Sequence, residues 1–132
     1  MYAVTVYSKS AEGEKPLMEN FRVREFACKD GSDMILINLE LVELLQRIRT
    51  HFRAPVTITS AYRSPCHNKK VGGAKTSQHL YGIAADIQVK GVAPKTVAAY
   101  VEQLMPDKGG IGIYPTFVHV DVRKMKSRWR GN

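Results

Sequence analysis

At 132 residues, 44% of them hydrophobic, the chain is sized for one domain whose core needs no disulfide staples. Its longest apolar stretches, at 39–45 and 111–122, are broken by charges, glycine or proline and fall short of the ~20 residues of a membrane-spanning helix, so no span is expected. A net charge of +8 calls for an anionic partner or a solubility role, yet the basic residues are dispersed except for a dense run at 123–130. The N-terminus has no basic segment ahead of a long apolar one, so no secretory signal is expected. The chain is expected in the cytosol as synthesised, unless lysis or another route releases it.

In chain order, residues 2–7 read as a possible first strand. Residues 8–20, polar and punctuated by Gly13 and Pro16, read as a loop. Residues 21–26 alternate and suit a short extended piece. Asn38 can cap a helix reaching about Phe52, with Leu41, Leu45, Ile48 and Phe52 on one apolar face, Glu40 in the first turn and Pro55 marking the stop. The β-branched run 56–59 reads as a strand, and 84–89 as another. Pro94 opens a second helix with Val97, Val101 and Leu104 inward, and Pro106 closes it. Gly109 and Gly110 turn the chain into 111–114, which forms a hairpin with 117–122. The sum is an α+β domain with a small, mainly antiparallel sheet and helices packed mostly on one face.

Residues 77–86, Ser-Gln-His-Leu-Tyr-Gly-Ile-Ala-Ala-Asp, hold the chemistry. Seven residues of helix rise ~10 Å, and in a strand an odd separation sends side chains to opposite faces. Neither brings His79 and Asp86 onto one ion. A bend does, and Gly82 supplies it without steric cost. Asp86 then shares a strand face with Gln88, while Ile87 and Val89 face the core. On 117–122, His119 and Asp121 project opposite Val118, Val120 and Val122. If the two strands are neighbours, two imidazoles and a carboxylate can surround one ion with a fourth position left for water, the pattern of a hydrolytic zinc. On spacing alone the same residues also read as ordinary strand-surface polar groups. Cys28, Cys66 and His67 lack the spacing of a structural zinc site, and the two cysteines read as reduced, partly buried thiols, with a single bridge between them as the alternative. The run 123–130 reads as a solvated basic tail, with phosphate binding aided by Trp129 stacking as a weaker alternative.

Ser77, His79, Gly82, Ala84 and Asp86 match the Ser-x-His-x-x-Gly-x-Ala-x-Asp motif of the M15 zinc peptidases, which this chain resembles over roughly residues 20–130. These are D-alanyl-D-alanine carboxypeptidases and L-alanyl-D-glutamate endopeptidases acting on peptidoglycan stem peptides. The residues around His119 resemble the family's third-ligand strand, and 60–65 and 67–73 extend the likeness, nearest to the small single-domain branch often carried by bacteriophages and prophages. The resemblance implies a hedgehog and D,D-peptidase type of fold. It implies one zinc peptidase domain over 1–132, with an N-terminal strand and loop at 1–20 and a basic tail at 123–132. It also implies His79, Asp86 and His119 as ligands of one Zn2+, and Arg63 near the substrate.

An arginine fork suits a stem-peptide carboxylate or a polarised carbonyl oxygen, with a structural ion pair as the plainer role. Ser77 and Gln78 are candidates to bind substrate or orient ligands. Tyr81 is a candidate to line the cleft or simply to pack. His67 is expected to be structural, and His51 to sit near the end of the first helix, where a C-terminal position suits it. Many relatives carry a His, Glu or Asp general base two or three residues before the third ligand. Here those positions hold Phe117 and Thr116. Asp121 stands in, either as that base or as the group fixing the His119 ring. The expected function is zinc-dependent hydrolysis of stem-peptide bonds, as carboxypeptidase or endopeptidase, by a monomer drawn to the anionic cell wall after release. The alternative is a non-catalytic, zinc-stabilised wall-binding or phage-particle module, and nucleic acid ranks below both as a partner.

Overall fold

The structure, a computed structural model, describes residues 3–132; Met1 and Tyr2, where the expected first strand would begin, lie outside the described residues. Strand β1 (Thr5–Ser8) runs into α1 (Lys9–Glu12), β2 (Pro16–Met18) and β3 (Phe21–Arg22). The expected loop at 8–20 is therefore partly ordered. Ser8 caps α1, and the Asp33 carboxylate clamps that cap by accepting from Ser8 Oγ at 2.6 Å and from the Ser10 amide at 2.7 Å. That clamp spans 25 residues and has no local signal. The alternation at 21–26 also misleads. Only Phe21–Arg22 is extended, and Val23–Phe26 winds into a 3-10 turn that buries Val23 and Phe26. The Glu25 carboxylate closes that turn by accepting the Arg22 amide at 2.7 Å.

Strand β4 (Met34–Ile37) pairs antiparallel with β1 and leads into α2 (Leu39–Phe52). Asn38 caps α2 as expected, accepting from the Leu41 amide at 3.0 Å, and Arg53 ends it in the left-handed region at φ 51°. Strand β5 (Val56–Ser60) follows, then α3 (Pro65–Lys70), a 3-10 turn at Gln78–Tyr81, and β6 (Ala84–Val89). Helix α4 (Pro94–Leu104), β7 (Gly110–Ile113), β8 (Val118–Asp121) and β9 (Ser127–Arg130) complete the order.

Five strands form the main sheet in the order β5-β6-β8-β7-β9, antiparallel except for the parallel pair β7 and β9. Helices α2 and α4 touch each other and both touch β6, so they share one face of this sheet. Beneath them Ile87, Ile111, Val118 and Val120 pack with Leu41, Leu45, Ile48, Val97 and Val101, all buried. Each such aliphatic side chain contributes about 1.5–3 kcal/mol on burial, and together they fix which face the polar partners must take. No helix among the described residues is long and apolar enough to cross a membrane.

The basic run read as a solvated tail instead contains β9. Its four residues alternate too briefly to show as a strand, and their parallel partner is non-local. Arg128 fastens β9 to the end of α4, donating to the Glu102 carboxylate at 2.7 Å and to the Met105 carbonyl at 2.6 Å. Of the two cysteines, Cys28 is buried as expected but Cys66 is exposed, and both are free thiols.

Candidate metal centre

One row of cross-strand partners runs through the whole sheet: Ser60 on β5, Asp86 on β6, His119 on β8, Gly112 on β7 and Trp129 on β9. The hydrophobic alternation turns Ile87, Val118 and Val120 toward the helices, so this row faces the opposite side. Asp86 and His119 are direct partners, and their side chains meet with Asp86 Oδ1 2.9 Å from His119 Nδ1.

His79 arrives from the 3-10 turn before β6. Gly82 ends that turn at φ 72°, and a Cβ there would lie 2.5 Å from the Leu36 carbonyl oxygen, so glycine is required for conformation and for space. The Ser77 hydroxyl caps the turn by accepting the His79 amide at 3.3 Å. His79 Nδ1 meets the Ala61 carbonyl oxygen at 2.7 Å, which places the proton on Nδ1 and leaves Nε2 directed at Asp86 Oδ1, 3.3 Å away. Two ring nitrogens from separate parts of the chain thus converge on one carboxylate.

His119 Nε2, the outer nitrogen, lies 2.7 Å from Asp121 Oδ2. Asp121 is 0% exposed and its oxygens are saturated: it accepts the Gly110 amide at 2.9 Å, Arg123 Nε at 2.8 Å and Arg123 Nη2 at 2.7 Å. The carboxylate sits behind the His119 ring, on the side away from Asp86.

A cleft of about 420 Å³ opens over these groups, lined by Arg63, Ser77, Gln78, His79, Asp86 and His119 among others. Arg63 is fixed by Ser60 Oγ at 3.3 Å and Asn68 Oδ1 at 3.2 Å, and its Nη2 stands 3.8 Å from Asp86 Oδ2. The opposite wall is aromatic. Tyr114 and Phe117 stack at 4.3 Å between ring centroids, and Trp129 donates from Nε1 to the Tyr114 hydroxyl at 2.9 Å. The indole lies 5.0 Å from the His119 ring, in space that exists because position 112 has no side chain; a Cβ there would strike the indole. Tyr81 is not among the lining residues and is exposed. His51, in the last turn of α2, stacks on Tyr100 at 3.7 Å, remote from the cleft.

Sequence reasoning missed Arg123, Tyr114, Phe117 and Trp129 as cleft residues. Trp129 and Arg123 were hidden inside a run that reads as charge. The strand register that brings Trp129 beside His119 has no signal outside the fold.

Electrostatics bind the group together. Burial opposes ionisation of Asp86, but contacts from His119 and His79 outweigh it and hold the carboxyl below its ordinary range. Asp121 is likewise depressed, with burial overcome by His119 and Arg123. Burial disfavours charge on His119, yet carboxylates at both ring nitrogens, Asp121 foremost, raise its pKa above the ordinary value. A proton held between His119 Nδ1 and Asp86 is the one a cation would displace.

The ligand atoms of His79, Asp86 and His119 all lie within 4.8 Å of one another. Each imidazole has its outer nitrogen tied to an oxygen acceptor and its inner nitrogen turned to Asp86 Oδ1, as metal-ligating histidines are held. The residues fit a divalent cation with three protein donors and an open position. The sequence profile of the peptidase M15 family matches residues 17–121, and the chain belongs to that family. It is 35% identical over 85 residues to the probable peptidoglycan L,D-endopeptidase MepK of Haemophilus influenzae, a match covering 59% of this chain and 44% of that one. It is 37% identical over 76 residues to the peptidoglycan L,D-endopeptidase MepK of Escherichia coli K12, covering 52% and 41%. In these matches the aligned part is less than half the length of each relative.

Proposed function

We propose that the chain is a zinc peptidase that hydrolyses peptide bonds in peptidoglycan stem peptides, with His79 Nε2, the Asp86 carboxylate and His119 Nδ1 as the metal ligands. The observation that carries this reading is the convergence of both inner ring nitrogens on Asp86 Oδ1, at 3.3 and 2.9 Å, beneath an open cleft. A zinc ion held there supplies Lewis acidity toward the scissile carbonyl and an acidified water. The chain's own residues do the rest. Arg63, pre-oriented by Ser60 and Asn68, offers guanidinium donors to a substrate carboxylate or to the carbonyl oxygen as charge develops on it. Gln78 presents its side chain to the same cleft, while Ser77 orders the His79 turn. Asp121 acts through His119 by fixing the tautomer and raising the basicity of the ligating nitrogen. The activity named for the MepK relatives supports opening of an internal bond over trimming of an end residue. A net charge of +8 favours approach to an anionic wall.

One observation favours a second reading, a zinc-stabilised wall-binding module without catalysis. Among the described residues lining the cleft Asp86 is the only carboxylate, and Asp121 is enclosed behind His119. Mass spectrometry of muropeptides incubated with the purified chain separates the two. The proposal expects new stem-peptide fragments, suppressed by a chelator and restored by zinc. Unchanged muropeptides alongside retained wall binding would establish the second reading instead.

A further inference from the structure

Outside the cleft, three side chains of different chemistry meet where the N-terminal layer touches α3. Cys28 is 3% exposed and Asp30 follows it in a tight turn, closed by the Gly31 amide donating to the Cys28 carbonyl at 3.3 Å. His67 projects toward them from α3. The Cys28 sulfur, an Asp30 carboxylate oxygen and a His67 ring nitrogen lie within 4.8 Å of one another. Ser64 braces this cluster. Its backbone amide points at Cys28 Sγ from 3.4 Å, its hydroxyl donates to Asp30 Oδ2 at 2.7 Å, and Ser64 Oγ accepts the His67 amide at 3.1 Å. The other Asp30 oxygen accepts the Ser32 amide and hydroxyl at 2.8 and 2.6 Å, so the carboxylate is fixed in direction.

We infer that Cys28, Asp30 and His67 form a second divalent-metal site, selective for zinc-like ions and separate from the cleft. A thiolate, a carboxylate and a neutral imidazole carry two negative charges between them, so one divalent ion makes the cluster neutral. The thiolate disfavours magnesium and calcium, and sulfur with nitrogen suits zinc or cobalt in tetrahedral geometry. The Ser64 amide N–H directed at the sulfur would hydrogen-bond a metal-bound thiolate from outside the coordination shell. Water completes the coordination from the exposed side at Asp30. Binding releases the Cys28 proton to solvent.

The site would act as a clip. Helix α3 carries Asn68, which holds the Arg63 guanidinium at 3.2 Å, and the clip ties that helix to the turn at 28–30. Cys66, next to His67 but exposed, lies outside the cluster.

Cobalt(II) reports on this site alone, because the cleft residues include no thiol: only a thiolate ligand gives a sulfur-to-cobalt charge-transfer band. Cobalt titrated into the metal-stripped full chain should produce that band, saturating at one equivalent of the thiolate-bound ion. The band should persist in Asp86→Ala and Cys66→Ser and vanish in Cys28→Ser. His67→Ala should weaken it by more than about 100-fold in affinity, beyond the roughly 10–100-fold that loss of an outer partner costs. His67 is half-buried, so that variant carries the test if Cys28→Ser fails to fold by circular dichroism. Absence of the band at saturating cobalt overturns the inference, as does a band that survives Cys28→Ser or disappears with Cys66→Ser.

Discussion

Asp86 and His119 occupy opposed positions on adjacent antiparallel strands, and their side chains meet at 2.9 Å. A register shift of one residue would send either side chain into the core, so the packing of Ile87, Val118 and Val120 sets the spacing of the site. Period-two alternation of the core thus fixes where Asp86 and His119 stand, while His79 reaches them from the turn that Gly82 ends.

Removing the carboxylate and removing the arginine should have different consequences. Asp86→Ala is expected to lose both the cleft zinc and hydrolysis. Arg63→Ala should keep its zinc and lose roughly 10²-fold in kcat/KM, the scale of deleting one donor to a developing oxyanion. Zinc content and kinetics of the two variants check this; equal cleft zinc in wild type and Asp86→Ala would contradict it.

Asp121→Asn distinguishes a positioning residue from a base. Loss of an outer partner of a metal-bound histidine costs about 10–100-fold in metal affinity. Zinc binding should fall by that amount, and saturating zinc should bring activity back to near the wild-type rate. An activity that stays low with the metal site full would instead make Asp121 the proton acceptor. The Asn variant also leaves Arg123 short of its carboxylate and should melt at a lower temperature.

Asp86 and His119 were legible because alternation exposes them opposite runs of aliphatic residues, and Gly82 was legible as the bend that admits His79. The facing of His79 was not, since the Ala61 carbonyl that orients its ring is a backbone group without a sequence mark. The aromatic wall was hidden for another reason. Trp129 sits between two arginines, and its role depends on a parallel pairing of β9 with β7 and on an absent side chain at position 112. Charge patterning read the segment as solvated, whereas Arg123 and Arg128 are engaged with Asp121 and Glu102.

Gly112→Ala should therefore destabilise the protein by about 1–3 kcal/mol, the usual scale of overpacking, because the new methyl meets the indole. Combining it with Trp129→Ala should cost less than the two single changes summed, since the clash then disappears. Additive losses in thermal melts of the four proteins would show that the indole does not occupy that space.

Acid should weaken the Arg128–Glu102 tether of β9. The Arg128 guanidinium, bonded to the Glu102 carboxylate, holds that carboxyl below its ordinary value. A depressed folded pKa gives stability that is present above about 4.5 and lost as pH falls through the lower folded value. The melting temperatures of wild type and Glu102→Gln should differ at pH 7 and converge at strongly acidic pH. A gap independent of pH would remove Glu102 as the tether.

Metal uptake should run the other way on the pH scale. In the metal-free protein the raised pKa of His119 means that its proton stabilises the fold below about 6.5 and that this contribution is lost as pH rises through the higher folded value. Zinc displaces the same proton, so apparent affinity should climb with pH until that value is passed. Titrations in two buffers of different ionisation enthalpy would count the proton released.

Anomalous diffraction from crystals grown with zinc tests the central claim most directly. The account predicts a peak at the floor of the cleft, about 2.0–2.2 Å from His79 Nε2, an Asp86 carboxylate oxygen and His119 Nδ1. A zinc-saturated crystal with no peak among those three atoms would contradict it.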